Sequence, residues 1–403
     1  MRKNFNYTSY SPYKEKKQNL QRVIIIFIIF IIIFGGYLFD MQQEFKCLMY
    51  PEVEDMAFTL EDFIQPHLSC NINKSPTKVK GVYIPAHKIN KIDELIELAN
   101  STEINSFIID IKDDYGHLNF PTTNPMLIKM GGVSKTPYLQ DIDEIMDKLY
   151  KNNIYPIARI VVFKDKMVAK KVPEQMMQDH NGKIYENKSG ETWLNPYDKR
   201  NWEYILEVCK EAINMGFKEV QLDYLRFHES MSSSRVNIPK DYSKMQVITD
   251  FVEYITNKLE PLGIFVSADV FGTIITSKID AEIVGQDYKA LVSMLDSICP
   301  MIYPSHYGEG SFGQKHPDLA PYEIILAAMQ ASNKVISELP LEERKAIVRP
   351  WLQDFTASWI KNHQVYEKEQ VRQQIEGVYD ALLSEWILWN GAAVYTEDAL
   401  LNN

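Results

Sequence analysis

Short apolar segments alternate with longer amphipathic segments from residue 79 onward, and this alternation limits the possible folds more than any other feature. Eight segments have the composition of buried strands: 79–84, 106–111, 154–163, 219–222, 265–268, 297–302, 346–351 and 386–389. Helical patterning is found at 92–100, 138–152, 202–215, 242–262, 281–294, 321–337 and 369–383. Strands that alternate with helices form parallel sheets. Eight such units predict an α/β protein with the (β/α)8 TIM-barrel fold.

A doubly wound open sheet is the alternative architecture. Such sheets usually carry a glycine-rich phosphate loop after the first strand, whereas this chain continues with Pro85, Ala86 and His87. Two connections, 164–196 and 303–320, are long. Both follow strands, so in a barrel they would lie on the catalytic face and shape a cleft.

The N-terminal region has the pattern of a membrane anchor. Residues 23–39 are almost entirely apolar, which reaches the short end of the range for a membrane-spanning helix. Basic residues precede this segment and acidic residues follow it, so the positive-inside rule places the N-terminus in the cytoplasm. We therefore predict a single-pass cell-membrane protein with a basic tail (1–22), a transmembrane helix (23–39), a short stalk (40–77) and an extracellular barrel (78–398). A cleaved signal peptide is the alternative.

Charge and cysteine content exclude several classes of function. The formal net charge is −11 although residues 1–22 are basic, so the body is strongly acidic. Nucleic acid and anionic membrane are therefore poor candidates for its main ligand. The four cysteines form no C-x-x-C pair, which argues against a zinc ribbon or a redox motif. Cys47 and Cys70 either form a disulfide outside the cell or are free thiols, whereas Cys209 and Cys299 fall in core patterns.

Polar, charged and aromatic residues follow the predicted strands. They are His87, Asp110, Asp113, Arg159, Asp223, Arg226, Asp269, Tyr303, His306, Arg349, Trp351, Asp354 and Trp389. In a parallel barrel these positions meet at one rim. Hydrolysis of a glycosidic bond needs one carboxyl group as acid and a second as nucleophile or base, and aromatic faces stack on sugar rings. The combination predicts a carbohydrate site. Its histidines and acids are too dispersed to indicate a metal, and no cofactor is expected.

Each of these residues also has a structural interpretation. Asp223 could form an ion pair with Arg226, because a buried carboxylate needs a partner. Asp110 and Asp113 could pair with a neighbouring base such as Arg159. Asp269 and Asp354 could cap the helices that follow them.

Eight motifs, in order along the chain, resemble a bacterial family of glycoside hydrolase domains that is distantly similar to the alpha-amylase clan. They are KGVYIPAH (80–87), IDIKDDYG (109–116), WLNPY (193–197), VQLDYLRF (220–227), ADVFG (268–272), PMIYPSHY (300–307), RPWLQDF (349–355) and WILWN (386–390). The resemblance extends over roughly residues 79–395. It implies a TIM barrel with a glycosidase-like site.

The amylase-clan pattern assigns roles by strand. It implies that Asp223 is the nucleophile after the fourth strand, Asp269 the acid/base after the fifth and Asp354 the third acid after the seventh. The chain departs from the pattern at Gln221, where the clan has Arg, and at Gln353, where it has His. The acid/base is usually Glu, so Asp269 is one methylene shorter.

These observations predict a membrane-anchored extracellular glycoside hydrolase that acts on a polysaccharide. Asp223 and Asp269 are the predicted catalytic pair, and the other rim residues are predicted to bind sugar. A barrel that binds carbohydrate without cleaving it is one alternative. A polysaccharide lyase or deacetylase is the other.

Overall fold

A computed structural model of the chain describes residues 78–401. The predicted basic tail, transmembrane segment and stalk lie outside the described residues, as do Cys47 and Cys70. Between residues 78 and 401, none of the helices combines the length and the apolar character needed to cross a bilayer. Cys209 and Cys299 are buried free thiols, as their core patterns predict.

Within residues 78–401, parallel strands close into a barrel with eight positions. The strands are β1 (Lys80–Ile84), β2 (Ser106–Lys112), β3 (Tyr155–Val161), β4 (Glu219–Asp223), β5 (Phe265–Phe271), β6 (Ser297–Met301), β7 (Ile347–Val348), β8 (Trp351–Gln353) and β9 (Trp386–Trp389). Lys80 pairs with Trp386, so β9 returns to β1 and closes the barrel. The predicted TIM barrel is confirmed, and the open-sheet alternative is wrong.

The seventh barrel position is shared by two short strands rather than by the single predicted strand. β7 pairs with the start of β6, and β8 pairs with its end through Met301 and Trp351. Pro350 stands between them, and a proline has no N–H to donate to a sheet. The interruption begins at Arg349, whose side chain enters the barrel interior instead of the rim.

Helices surround the barrel. In the described part of the chain they are α1 (Ile92–Ser101), α2 (Pro125–Met130), α3 (Ile142–Lys151), α4 (Val168–Lys171), α5 (Lys199–Asn214), α6 (Lys244–Leu259), α7 (Lys278–Val284), α8 (Tyr288–Met294), α9 (Pro321–Ser337) and α10 (Lys368–Asp380). The predicted helix 281–294 is two helices, because Gly285 adopts φ 82° and ends α7. Glycine reaches this left-handed conformation without steric cost.

Two apolar layers hold these elements together. The larger layer lies between the strands and the helices, as the buried side chains of Leu222 and Phe251 illustrate. The smaller layer fills the barrel interior and includes Ile108, Ile157 and Cys299. This packed interior supports the rim at the carboxyl ends of the strands, where a barrel has its active site.

The amino end of the barrel contains a buried ion network. The Arg349 guanidinium contacts Glu219 at 2.7 Å through Nη1 and Glu385 at 2.8 Å through Nε. Glu219 is the first residue of β4, so this network lies at the opposite end from the rim. The expectation that Arg349 joins the rim residues is therefore wrong, and its role is to neutralise two buried carboxylates.

Candidate active site

A cavity of about 690 Å³ lies at the carboxyl end of the barrel. Its lining divides into two sides. Ionisable side chains come from the β2 to β5 side: Asp114, Arg159, Asp223, Arg226, Glu229 and Asp280. Most aromatic side chains come from the β6, β8, β9 and β1 side: Tyr303, His306, Tyr307, Trp351, Phe355, Trp359, Trp389 and Tyr83. Tyr224 and Phe271 are the aromatic residues that line the β4 and β5 side. The cavity thus presents carboxylates opposite aromatic faces, as the sequence predicts for a carbohydrate site.

Arg159, on β3, organises the ionisable side. Its Nε donates to Asp223 Oδ2 at 2.8 Å, its Nη1 to Asp110 Oδ1 at 2.6 Å and its Nη2 to Asp114 Oδ1 at 2.9 Å. The guanidinium is planar and has five donors, so one side chain can fix three carboxylates. Arg159 is also the β3 partner of Gln221 in the sheet register. It therefore supplies to Asp223 the guanidinium that the amylase-like pattern places at position 221.

Asp223 ends β4 with both carboxylate oxygens engaged. Oδ2 accepts from Arg159, and Oδ1 accepts from the backbone N–H of Tyr224. Tyr224 has φ 48°, a conformation that non-glycine residues adopt at a cost of about 1–3 kcal/mol. This turn at the end of the strand brings the N–H onto the carboxylate. Asp223 is thus held in one orientation at the cavity wall.

Asp269, on the neighbouring strand β5, is more deeply buried. Its side chain is 1% exposed and is not part of the cavity lining. The Trp351 indole donates to Oδ1 at 2.6 Å, whereas Oδ2 is buried with no hydrogen-bond partner among the described residues. Burial, and then the negative charge of Asp223, raise the pKa of Asp269 well above its usual range. Burial and the charge of Asp223 therefore both favour the protonated form of the Asp269 carboxyl group.

Asp110 and Asp114 differ sharply in their environments. Burial raises the pKa of Asp110 to about 6, although Arg159 and the Tyr83 hydroxyl both donate to its carboxylate. Burial would also raise the pKa of Asp114, but the positive charges of Arg159 and Lys164 outweigh it and lower the pKa to about 2. Asp114 lines the cavity, and Asp110 lies behind Arg159.

The predicted site includes Asp113 rather than Asp114. Asp113 instead accepts hydrogen bonds from the backbone N–H groups of Tyr115 and His117, both at 2.9 Å, and shapes the turn after β2. The sheet register shifts between Asp110 and Lys112. A bulge breaks the two-residue alternation of side chains, so the sequence pattern could not distinguish between the adjacent acids.

The remaining predicted residues fall into two groups. Arg226, Tyr303, His306, Trp351 and Trp389 line the cavity together with Asp223 and Arg159. His87 and Asp354 do not.

The contacts of three residues explain their positions. The guanidinium of Arg226 lies over the Phe271 ring at 4.2 Å and contacts Glu229 at 3.2 Å, so Asp223 depends on Arg159 for its ion pair. Asp354 accepts from the N–H and hydroxyl of Thr396, at 2.9 and 2.7 Å. His87 is exposed beside Tyr138.

The cavity lining includes further residues that the predicted site lacks. Four with charged or aromatic side chains beyond the strand ends are Glu229, Asp280, Phe355 and Trp359. All four lie in loops or at the start of a helix, beyond the strand ends. Strand periodicity carries no information there, so the sequence alone gave no signal for them. Within residues 78–401, no group of three His, Cys, Asp or Glu side chains could hold a metal ion.

A parallel barrel of eight positions with acids and aromatic rings around a cavity at its carboxyl end is the architecture of TIM-barrel enzymes that act on sugars. Residues 81–395 match the model of the family described as "Putative glycosyl hydrolase domain", and the chain belongs to that family. The resemblance seen in the motifs is confirmed. The family places the protein among hydrolases of glycosidic bonds.

Solved structures with this fold include several glycoside hydrolases. The PgaB (BpsB) glycoside hydrolase domain from Bordetella bronchiseptica aligns with a TM-score of 0.55 at 12% identity, over 79% of this chain and 95% of that chain. An exo-β-N-acetylglucosaminidase from Vibrio harveyi aligns with a TM-score of 0.50 at 13% identity, over 81% of this chain and 54% of that chain. At these identities the likeness establishes the fold alone.

One solved structure is closer in sequence. A hypothetical protein from Ruminiclostridium thermocellum ATCC 27405 is 32% identical, over 47% of this chain and 97% of that chain, with a TM-score of 0.43. No curated protein matches the chain.

Proposed function

We propose that this protein is a membrane-anchored extracellular glycoside hydrolase that cleaves a polysaccharide, with Asp223 and Asp269 as its catalytic carboxyl groups. Family membership supports hydrolysis of a glycosidic bond. The apolar segment 23–39, with basic residues before it, supports the anchor and the export of the barrel. The aromatic side of the cavity supports a sugar ligand.

The contrast between Asp223 and Asp269 carries the proposal. Glycosidic cleavage needs one ionised carboxylate and one protonated carboxyl group close together, and different environments produce that difference. Asp223 is ion-paired with Arg159 and lies at the cavity wall. Burial and the charge of Asp223 raise the pKa of Asp269 and so favour its protonated form. Asp223 thus acts as nucleophile or stabilises the positive charge on the sugar, and Asp269 donates the proton to the leaving oxygen.

The donor atom follows from the hydrogen bonds of Asp269. Oδ1 accepts from the Trp351 indole, so the proton sits on Oδ2, which has no partner among the described residues. Because Oδ2 is buried, the side chains above it must shift when substrate binds. Arg159 positions Asp223, because its Nε donates to the Asp223 carboxylate. NMR analysis of the anomeric configuration of the product distinguishes a retaining from an inverting reaction.

The test is product analysis on cell-envelope polysaccharides. We expect the intact protein to release new reducing ends, and Asp223→Asn and Asp269→Asn each to lower kcat by about a thousandfold, the order of a lost catalytic carboxyl group. Asp143→Asn is the matched control, because Asp143 is exposed in the first turn of α3. It should leave kcat unchanged.

The other functions give different products. Binding without cleavage, equally strong in Asp223→Asn, would identify a carbohydrate-binding barrel and overturn the proposal. Unsaturated sugar ends would identify a lyase. Free acetate without chain scission would identify a deacetylase.

A further inference from the structure

A row of aromatic rings leads from the acids of the site to the protein surface. Tyr83, which donates to Asp110, is stacked with Trp389 at 6.2 Å between ring centroids and 9° between planes. Trp389 meets the edge of Phe355 at 5.1 Å. Phe355 is stacked with Trp359 at 5.9 Å and 15°. The row of rings is therefore continuous from Tyr83, beside Asp110, to Trp359.

Trp359, at the outer end of this row, is exceptional in its exposure. It is 66% exposed, whereas Trp193, Trp202, Trp351 and Trp386 are all buried. A large exposed aromatic side chain leaves apolar surface in water that folding would normally remove. Trp359 nevertheless lines the same cavity as Asp223. An exposed aromatic residue that is continuous with a binding cavity indicates a contact made by the ligand.

The chemical character of the aromatic row indicates which kind of ligand binds there. Phe355 is stacked on Trp359, and the His306 ring meets Trp359 at 6.4 Å and 82°. The indole nevertheless remains 66% exposed, so much of its surface is available for stacking. The C–H face of a pyranose is flat and apolar, and its hydroxyls can remain in water at the rim. Charged side chains of the cavity lie on the other side, toward β2 to β5. A sugar unit fits this arrangement better than an extended apolar chain, which would leave those charges desolvated.

We propose that Trp359 and Phe355 form a remote sugar-binding subsite. This subsite holds a unit of the polysaccharide at the outer end of the aromatic row, away from Tyr83 and Asp110, and so selects long chains over short oligosaccharides. The inference rests on the proposed function for the identity of the ligand. Trp359 is thus a specificity-determining residue and not a catalytic one.

The experiment measures affinity as a function of chain length in the full-length Asp223→Asn protein, which binds without turnover. The probes are chito-, cello- and malto-oligosaccharides from trisaccharide to octasaccharide. In the series that binds, Trp359→Ala should weaken octasaccharide binding about tenfold, the order expected for one lost ring-stacking contact, and leave trisaccharide binding unchanged. Trp359→Phe, which keeps an aromatic ring, should bind the octasaccharide with an affinity between those of the parent and of Trp359→Ala.

Tyr138→Ala is the matched control, because Tyr138 is 54% exposed and does not line the cavity. This substitution should leave the oligosaccharide affinity unchanged at every chain length. Equal loss at all lengths, no loss in Trp359→Ala, or binding by none of the three series would overturn the subsite. Length-dependent binding by a protein whose parent cleaves no polysaccharide would overturn the hydrolase proposal and retain the subsite.

Discussion

Asp110 links the acids of the site to protein stability. It is buried between Tyr83 and Arg159, and its pKa in the folded protein is about 6. The carboxyl of an unfolded chain has a pKa of about 3.9. The folded state therefore binds this proton more tightly, so the stabilisation is complete below about pH 4 and is lost as the pH rises through about 6.

Asp110→Asn removes this titration. We expect the free energy of unfolding of the variant to rise relative to the parent by about 2 kcal/mol between about pH 4 and about pH 7. Urea unfolding at both pH values measures the difference. Asp114, with a pKa of about 2, titrates below this window. Asp143→Asn provides the exposed control, and a constant difference between Asp110→Asn and the parent would contradict the assignment.

Individual site residues were predictable where a strand pattern continued to its end. Asp223 and Arg159 belong to regular strands, so their position at the rim followed from the alternation of side chains. Asp114 was missed because of the bulge in β2. Trp359 was missed because it lies in a loop. The hydrogen bond between Trp351 and Asp269 joins residues far apart in the chain, and no local pattern encodes it.

The two short strands at the seventh position depend on the ion network at the amino end of the barrel. Arg349 lies between β7 and β8 and is 3% exposed, and it neutralises Glu219 at the start of β4 and Glu385 before β9. Arg349→Met would leave both carboxylates buried without a cation. We expect the free energy of unfolding to fall by about 3–5 kcal/mol, as for other broken buried ion pairs. Denaturant titration measures this change.

Arg200→Met is the matched control, because the Arg200 side chain is exposed and forms an ion pair with Asp198, two residues before it in the chain. Exposed pairs contribute below about 1 kcal/mol. A triple variant separates the effect of the buried charges from the effect of side-chain packing. Adding Glu219→Leu and Glu385→Leu to Arg349→Met removes both buried carboxylates, and it should restore much of the lost free energy of unfolding. If the single variant were as stable as the control, the network would have no structural role.

The sequence predicted the order and type of the elements well, because each strand and each helix has its own hydrophobic period. It failed where one or two residues interrupt an otherwise continuous hydrophobic pattern. The segment 346–351 reads as one strand, but the buried side chain of Arg349 and the missing N–H of Pro350 divide it. The segment 281–294 reads as one helix, but Gly285 divides it.

Within residues 78–401, β1 and β9 close the barrel. Lys80 and Gly81 of β1 pair with β9, and the Trp386 N–H donates to the Val79 carbonyl at 3.1 Å. The described residues that line the cavity run from Tyr83 to Trp389. Folding and ligand binding are therefore expected to reside in the barrel, and membrane attachment in the segment 23–39.

Separating the two parts of the chain tests this division of roles. We expect the fragment 78–403 to unfold cooperatively, and to remain in the supernatant after ultracentrifugation. The full chain should sediment with membranes, because residues 23–39 are apolar enough to insert. If the anchor has the proposed orientation, protease added to intact cells should then remove the barrel from the full chain, because basic residues before segment 23–39 favour a cytoplasmic N-terminus. A full chain in the supernatant would contradict the anchor, protection from protease would contradict its orientation, and an aggregated fragment would show that the barrel requires the preceding residues.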